Sequence, residues 1–198
     1  MRKYILCFLI ACSFCSAVVI DFSTVDLFRN DGNNIVLQIG AVSFSHSLYS
    51  HPDGFRKWQD APYTTNPVVY NWYGERREYL QFAAPVYLQS LDASILQYSY
   101  ALPKPTTMIF EMYNASGTLL NTVVWGTPGN SLQTIALNQY NVSKLVIDFT
   151  GGADHYSDGR MHAWYALDNI VYDTAVPEPA SFALFLLAFG ILLFQRNR

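Results

Sequence analysis

Between residues 18 and 172 the apolar residues come in short runs separated by turn residues, and no window carries a capped helical period. This pattern constrains the fold more than any motif in the chain. The runs cover residues 18–22, 35–44, 68–73, 78–82, 86–97, 107–113, 119–125, 132–137, 144–149 and 164–172. Several of them alternate. Met108, Phe110 and Met112 fall on one face, with Ile109, Glu111 and Tyr113 on the other. Leu145, Ile147 and Phe149 likewise oppose Lys144, Val146 and Asp148. Successive side chains of a strand point to opposite faces, so this period of two predicts half-buried strands. Asn114-Ala115-Ser116-Gly117 separates two runs and predicts a hairpin loop. Short strands with no helix between them argue against parallel βαβ units. They predict an antiparallel all-β sandwich over residues 18–175. An aromatic share of 16%, led by 14 Tyr and 13 Phe, agrees with this.

Both ends read differently. Arg2 and Lys3 precede an apolar stretch over residues 4–14, and Cys15-Ser16-Ala17 places small residues at −3 and −1. This is the pattern of a secretory signal peptide cleaved after Ala17. Leu9-Ile10-Ala11-Cys12 also has the look of a lipobox, though few residues precede its cysteine. A retained membrane helix fits less well, because the apolar run is below the ~17 residues that a span needs. Cys7, Cys12 and Cys15 are the chain's only cysteines, and all lie in this leader. The exported domain therefore has no disulfide, no cysteine nucleophile and no thiolate metal site.

At the other end, Val176-Pro177-Glu178-Pro179 is stiff, since each proline fixes its own φ and restricts the residue before it. Residues 180–194 are apolar, and Gln195-Arg196-Asn197-Arg198 closes the chain. As a helix the apolar run measures about 22 Å, short of a ~30 Å hydrocarbon core. Snorkelling arginines would let it span a thin bilayer briefly, with Arg196 and Arg198 in the cytoplasm and the main domain outside. These residues together resemble the PEP-CTERM sorting signal of exosortase substrates. The resemblance covers residues 176–198. It implies export across the inner membrane of a Gram-negative bacterium and transient anchoring by the C-terminal helix. It also implies recognition of the Pro-Glu-Pro segment by an exosortase, leaving a secreted or cell-surface domain. The basic end departs from a dense arginine run, because Asn197 interrupts it. A plain C-terminal anchor helix is the simpler alternative.

The middle of the chain carries a second, more diffuse resemblance. Leu80-Gln81-Phe82-Ala83-Ala84-Pro85-Val86, the strand–loop–strand unit at 108–125 and Ala166-Leu167-Asp168-Asn169-Ile170 are its carriers. They are similar to the jelly-roll sandwiches of PEP-CTERM proteins, and the last to the closing strand of galactose-binding-like modules. The resemblance implies a jelly-roll-like sandwich. A fold, however, does not name a function.

A net charge of −3 provides no basic face for nucleic acid. His46, His51, His155 and His162 form no H-E-x-x-H or other close metal spacing and read as loop and surface histidines. G-x-S-x-G, P-loop and G-x-G-x-x-G motifs are absent. Glu75, Glu78 and Glu111 are the candidates for a glycosidase pair. Glu75-Arg76-Arg77-Glu78 is more simply a solvated turn. In the loop 151–159, Asp154, Asp158 and Gly159 fit positions one, five and six of a calcium loop. Tyr156 and Tyr165 occupy positions three and twelve, so this is not an EF-hand. By analogy with jelly rolls that hold a structural calcium, Asp168 would join Asp154 and Asp158. A polar, Gly-rich turn is the alternative.

Sugar rings stack on aromatic faces while amides and carboxylates bond their hydroxyls. Trp58, flanked by Asp53, Arg56 and Gln59, is the best exposed candidate, followed by Trp72 and Tyr73 before Gly74. Most other aromatics, Trp125 and Trp164 included, read as core or edge packing. Asn114-Ala115-Ser116 and Asn141-Val142-Ser143 fit the glycosylation sequon but read as turn residues. The sequence thus predicts an exported, non-enzymatic surface or extracellular-matrix protein, associated with exopolysaccharide and able to bind glycan. A secreted polysaccharide-active hydrolase is the alternative.

Overall fold

Alternation turns into pairing wherever both partners of a ladder offer an apolar face. The structure, a computed structural model, describes residues 17–22, 38–46, 55–58, 67–71, 74, 76–96, 102–126 and 128–174. They form β1 (Val18–Ile20), β2 (Gln38–Ile39), β3 (Val42–His46), β4 (Phe55–Trp58) and β5 (Val68–Asn71). They continue as β6 (Glu78–Ile95), β7 (Pro105–Tyr113), β8 (Leu119–Gly126), β9 (Gln133–Gly151) and β10 (Tyr165–Thr174). Every pairing is antiparallel, and no helix occurs among the described residues. The order is β4-β5-β10-β6-β9-β7-β8, with β1 on β10 and the β2–β3 hairpin on β6. The predicted signal peptide up to Ser16 and the C-terminal sorting helix lie outside the described residues.

Two predicted breaks are not breaks. Runs 78–82 and 86–97 join in the 18-residue β6, and runs 132–137 and 144–149 join in the 19-residue β9. The pairing jumps from Gln81↔Lys144 to Val86↔Val142, then shifts twice more before Ser90. Pro85 falls in that unpaired step, where a missing N–H leaves no ladder bond broken. On the facing strand, Asn138 and Asn141 have φ of 48° and 63°. Asparagine tolerates this left-handed conformation better than most residues. Bulges bend and twist a strand without ending it. The predicted run 35–44 does divide, at Gly40, into β2 and β3.

The bend makes two layers out of one hydrogen-bonded sheet. Residues 78–82 of β6 pair with β3, and residues 86–95 pair with β10. Beyond the bend, β9 turns to pair with β7 through residues 144–151. Inward side chains from both halves, among them Phe44, Leu80, Phe110, Leu88, Leu91 and Leu167, belong to one buried cluster. A flat sheet cannot bury one face in this way without a second layer. Phe22, Phe44 and Phe55 make the join visible: successive edge-to-face contacts at 6.0 and 5.6 Å run from the end of β1 through β3 to β4. Full burial of such a side chain contributes about 1.5–3 kcal/mol. A smaller cluster of Val68, Tyr70, Leu96, Trp164 and Ala166 covers the other side of β5 and the start of β10.

Candidate functional site

One end of the outer surface carries an aromatic pair. Val86 and Leu88 point into the core, so Tyr87 between them points out. The bulged segment of β9 brings Tyr140 over it, with ring centroids 4.1 Å apart and planes 15° from parallel. The Tyr87 hydroxyl donates to Asn138 Oδ1 at 3.2 Å, which fixes the pair from its polar end. Tyr140 remains 63% exposed. Asp173 lies opposite Tyr87 in the β6–β10 ladder, and Gln89 Nε2 donates to its Oδ2 at 2.8 Å. The other oxygen, Oδ1, is buried and accepts no hydrogen bond among the described residues. The open Tyr140 face is thus the accessible feature here, a surface suited to the C–H face of a ligand.

The second feature is the loop from β9 to β10. Ala153 and His162 exchange backbone hydrogen bonds of 3.0 and 2.8 Å, which close residues 154–161 into a tight loop. Gly152 permits this closure. Its φ is +90°, and a Cβ there would lie 2.2 Å from the His162 carbonyl oxygen. Inside the loop, Asp154 Oδ1 accepts Asp158 N–H at 2.9 Å and Oδ2 accepts Gly159 N–H at 3.0 Å. Asp158 Oδ1 in turn accepts Arg160 N–H. One ligand atom from each of Asp154, Asp158 and His162 lies within 4.8 Å of the others. Rings line the loop's inner side. Tyr156 meets His162 edge-on at 4.9 Å, and His155 meets Trp164 at 5.1 Å. Trp164 packs against Gly74, where a Cβ would sit 2.8 Å from the indole.

This placement corrects two expectations. His162 is not a surface histidine: only 1% of it is exposed. The segment around Arg76-Arg77-Glu78 is not simply a solvated turn. Glu78 opens β6 with 1% exposure, and the Tyr165 hydroxyl donates to its Oε2 at 3.4 Å. Burial, reinforced by that carboxylate, pushes the Tyr165 phenol well above its ordinary pKa. Arg76 makes a two-point contact with Asp148 at 2.7 and 3.0 Å, and that hydrogen bonding raises the guanidinium pKa. Arg77 bridges Glu111 and Asp148.

The remaining predicted residues disperse. Glu78 and Phe110 both face Ile147 across their ladders, so Glu78 shares the core face with Phe110 while Glu111 takes the opposite face. The two carboxylates do not share a cleft. Glu75, His51, Trp72, Tyr73 and the Val176-Pro177-Glu178-Pro179 motif lie outside the described residues. Trp58 ends β4, its backbone opposite Val68. Asp168 is buried in β10, accepts Phe22 N–H at 3.2 Å and does not belong to the Asp154–Asp158–His162 group. Asn114 forms the predicted turn, whereas Asn141 sits in the β9 bulge. Tyr87 and Tyr140 were not among the residues singled out by the sequence, and His162 was read there as a surface histidine. For the tyrosine pair, the outward position of Tyr87 between Val86 and Leu88 was the one signal available.

No family model matches the chain, and no curated protein matches it. Among solved structures, a fucose binding module of Streptococcus pneumoniae aligns at 12% identity and TM-score 0.41, covering 73% of this chain and 98% of its own. The C-terminal family 22 carbohydrate binding module of Clostridium thermocellum Xyn10B aligns at 12% identity and TM-score 0.41, covering 72% and 92%. Chitosan-binding module 1 from a Paenibacillus chitosanase/glucanase aligns at 11% and 0.37, covering 71% and 98%. These likenesses are loose and assign no ligand to this chain.

Proposed function

We propose that this chain is an exported, non-enzymatic protein of the bacterial surface or extracellular matrix that binds polysaccharide on the face carrying Tyr87 and Tyr140. The observation behind the glycan reading is the Tyr140 ring, 63% exposed yet held flat against Tyr87. Stacked on a Tyr87 ring that the Asn138 bond holds in place, the Tyr140 ring loses little freedom when a sugar docks on it. The opposed faces of Glu78 and Glu111 favour binding over hydrolysis, since glycosidases need two carboxylates about 5–9.5 Å apart across one cleft. On a glycan array the protein is expected to give saturable binding, weakened roughly fivefold by Tyr140→Ala, equivalent to about 1 kcal/mol of stacking. Trp58→Ala, the substitution singled out by sequence, is the comparison. Silence across the array would leave a purely structural role.

Export and sorting belong to the same reading, and their support is the sequence alone. The leader is cleaved after Ala17, the apolar tail halts in the inner membrane, and an exosortase reads Val176-Pro177-Glu178-Pro179 on its outer side. Replacing Pro177, Glu178 and Pro179 by alanine should leave full-length precursor in the membrane fraction. Unchanged maturation would refute the sorting step.

A further inference from the structure

We infer that the β9–β10 loop binds a divalent transition cation of the zinc type through His162, Asp154 and Asp158. The three side chains converge because the Ala153–His162 bridge sets His162 beside the start of the loop, where Asp154 follows directly. Asp154 then draws Asp158 in through the latter's backbone N–H. Each carboxylate oxygen of Asp154 already accepts one bond, but a carboxylate oxygen has room for two. Asp158 Oδ2 faces His162 Nε2 at 3.6 Å, too far for a hydrogen bond.

His162 provides the observation that sets this group apart from an ordinary acidic loop. Its imidazole is 99% shielded, and Nε2 is aimed at Asp158 Oδ2 from 3.6 Å without a hydrogen bond between them. A buried imidazole nitrogen facing a carboxylate without a hydrogen bond leaves room for an ion between them. A cation between Nε2 and the two aspartates would engage the ring and both acids together. Around a tetrahedral ion with bonds of about 2.0–2.2 Å, ligand atoms lie about 3.3–3.6 Å apart. The observed limit of 4.8 Å is wider by about 1.2 Å, a distance that rotation of the exposed Asp154 and Asp158 side chains would close on binding.

Donor chemistry selects the ion. Calcium takes six to eight oxygens. Asp168, the third oxygen donor expected from the sequence, is buried in β10 and lies outside this group. The loop offers a nitrogen in its stead, and imidazole suits zinc, cobalt, nickel and copper. Three protein ligands also leave positions open for water.

The test uses the full-length chain, stripped with chelator and with its leader cysteines alkylated so that thiolates do not compete. Zn²⁺ and Co²⁺ should each bind one equivalent by calorimetry, Co²⁺ should show altered visible bands, and Ca²⁺ at equal concentration should do neither. Asp158→Asn, on an exposed side chain, should weaken Zn²⁺ at least about tenfold without moving the metal-free Tm. His162→Gln should abolish the Co²⁺ signature; if that variant fails to fold, Asp158→Asn still decides. Calcium binding more tightly than zinc, zinc affinity unchanged in Asp158→Asn, or no zinc binding at all would each overturn the site.

Discussion

Tyr165 shows what a single buried residue adds. Its hydroxyl meets Glu78 inside the core, and burial first, the carboxylate second, raise its pKa well above the ordinary value. The fold therefore favours the neutral phenol. The associated stability is complete below about pH 10 and is lost as pH rises from there toward the higher folded value. Unfolding midpoints in urea should fall more steeply above pH 10 in the native chain than in Tyr165→Phe. At neutral pH the variant should lose only about 1 kcal/mol. Parallel pH profiles would refute the assignment. At this scale legibility was uneven. The inward run of Met108, Phe110 and Met112 could be read directly from alternation. His162 could not, because its polar neighbours Asp158, Gly159 and Arg160 suggest a wet loop. The rings and the Ala153 bridge that enclose it come from tertiary contacts. Tyr140 was hidden similarly: asparagines at 138 and 141 suggest a turn, and only the bulge lifts the ring onto Tyr87.

At the scale of elements, the β7–β8 hairpin was legible because it is local. Asn114 Oδ1 accepts from Ser116 N–H, Thr118 N–H and the Ser116 hydroxyl at 3.1, 2.9 and 2.7 Å, so one side chain satisfies most of the turn. Asn114→Ala should cost about 1–2 kcal/mol, measurable as a shift in the urea midpoint at constant m. A shift below about 0.3 kcal/mol would mean that water replaces these bonds at no loss. The long strands were not legible. Pro85 and the paired asparagines carry the chemistry of turns, and what makes them bulges is a neighbouring strand on each side, which no local pattern encodes. The solvated-turn reading of residues 75–78 failed for a related reason: the partner of Arg76 is Asp148, 72 positions away.

For the molecule as a whole, the antiparallel all-β class followed from the absence of any helical period. What did not follow is that β6 and β9 each serve both layers of one sheet. A further consequence comes from the short strand β1. Val18 lies opposite Tyr172, so the chain enters and leaves the domain at a single pole. Tyr87 lies opposite Asp173 and therefore belongs to that same pole. The loop bearing His162 precedes the other end of β10, roughly 30 Å away at the rise of a strand. A domain tethered by either flank would hold its tyrosine pair against the attachment point and turn its aspartate–histidine loop outward, toward whatever the cell surface faces.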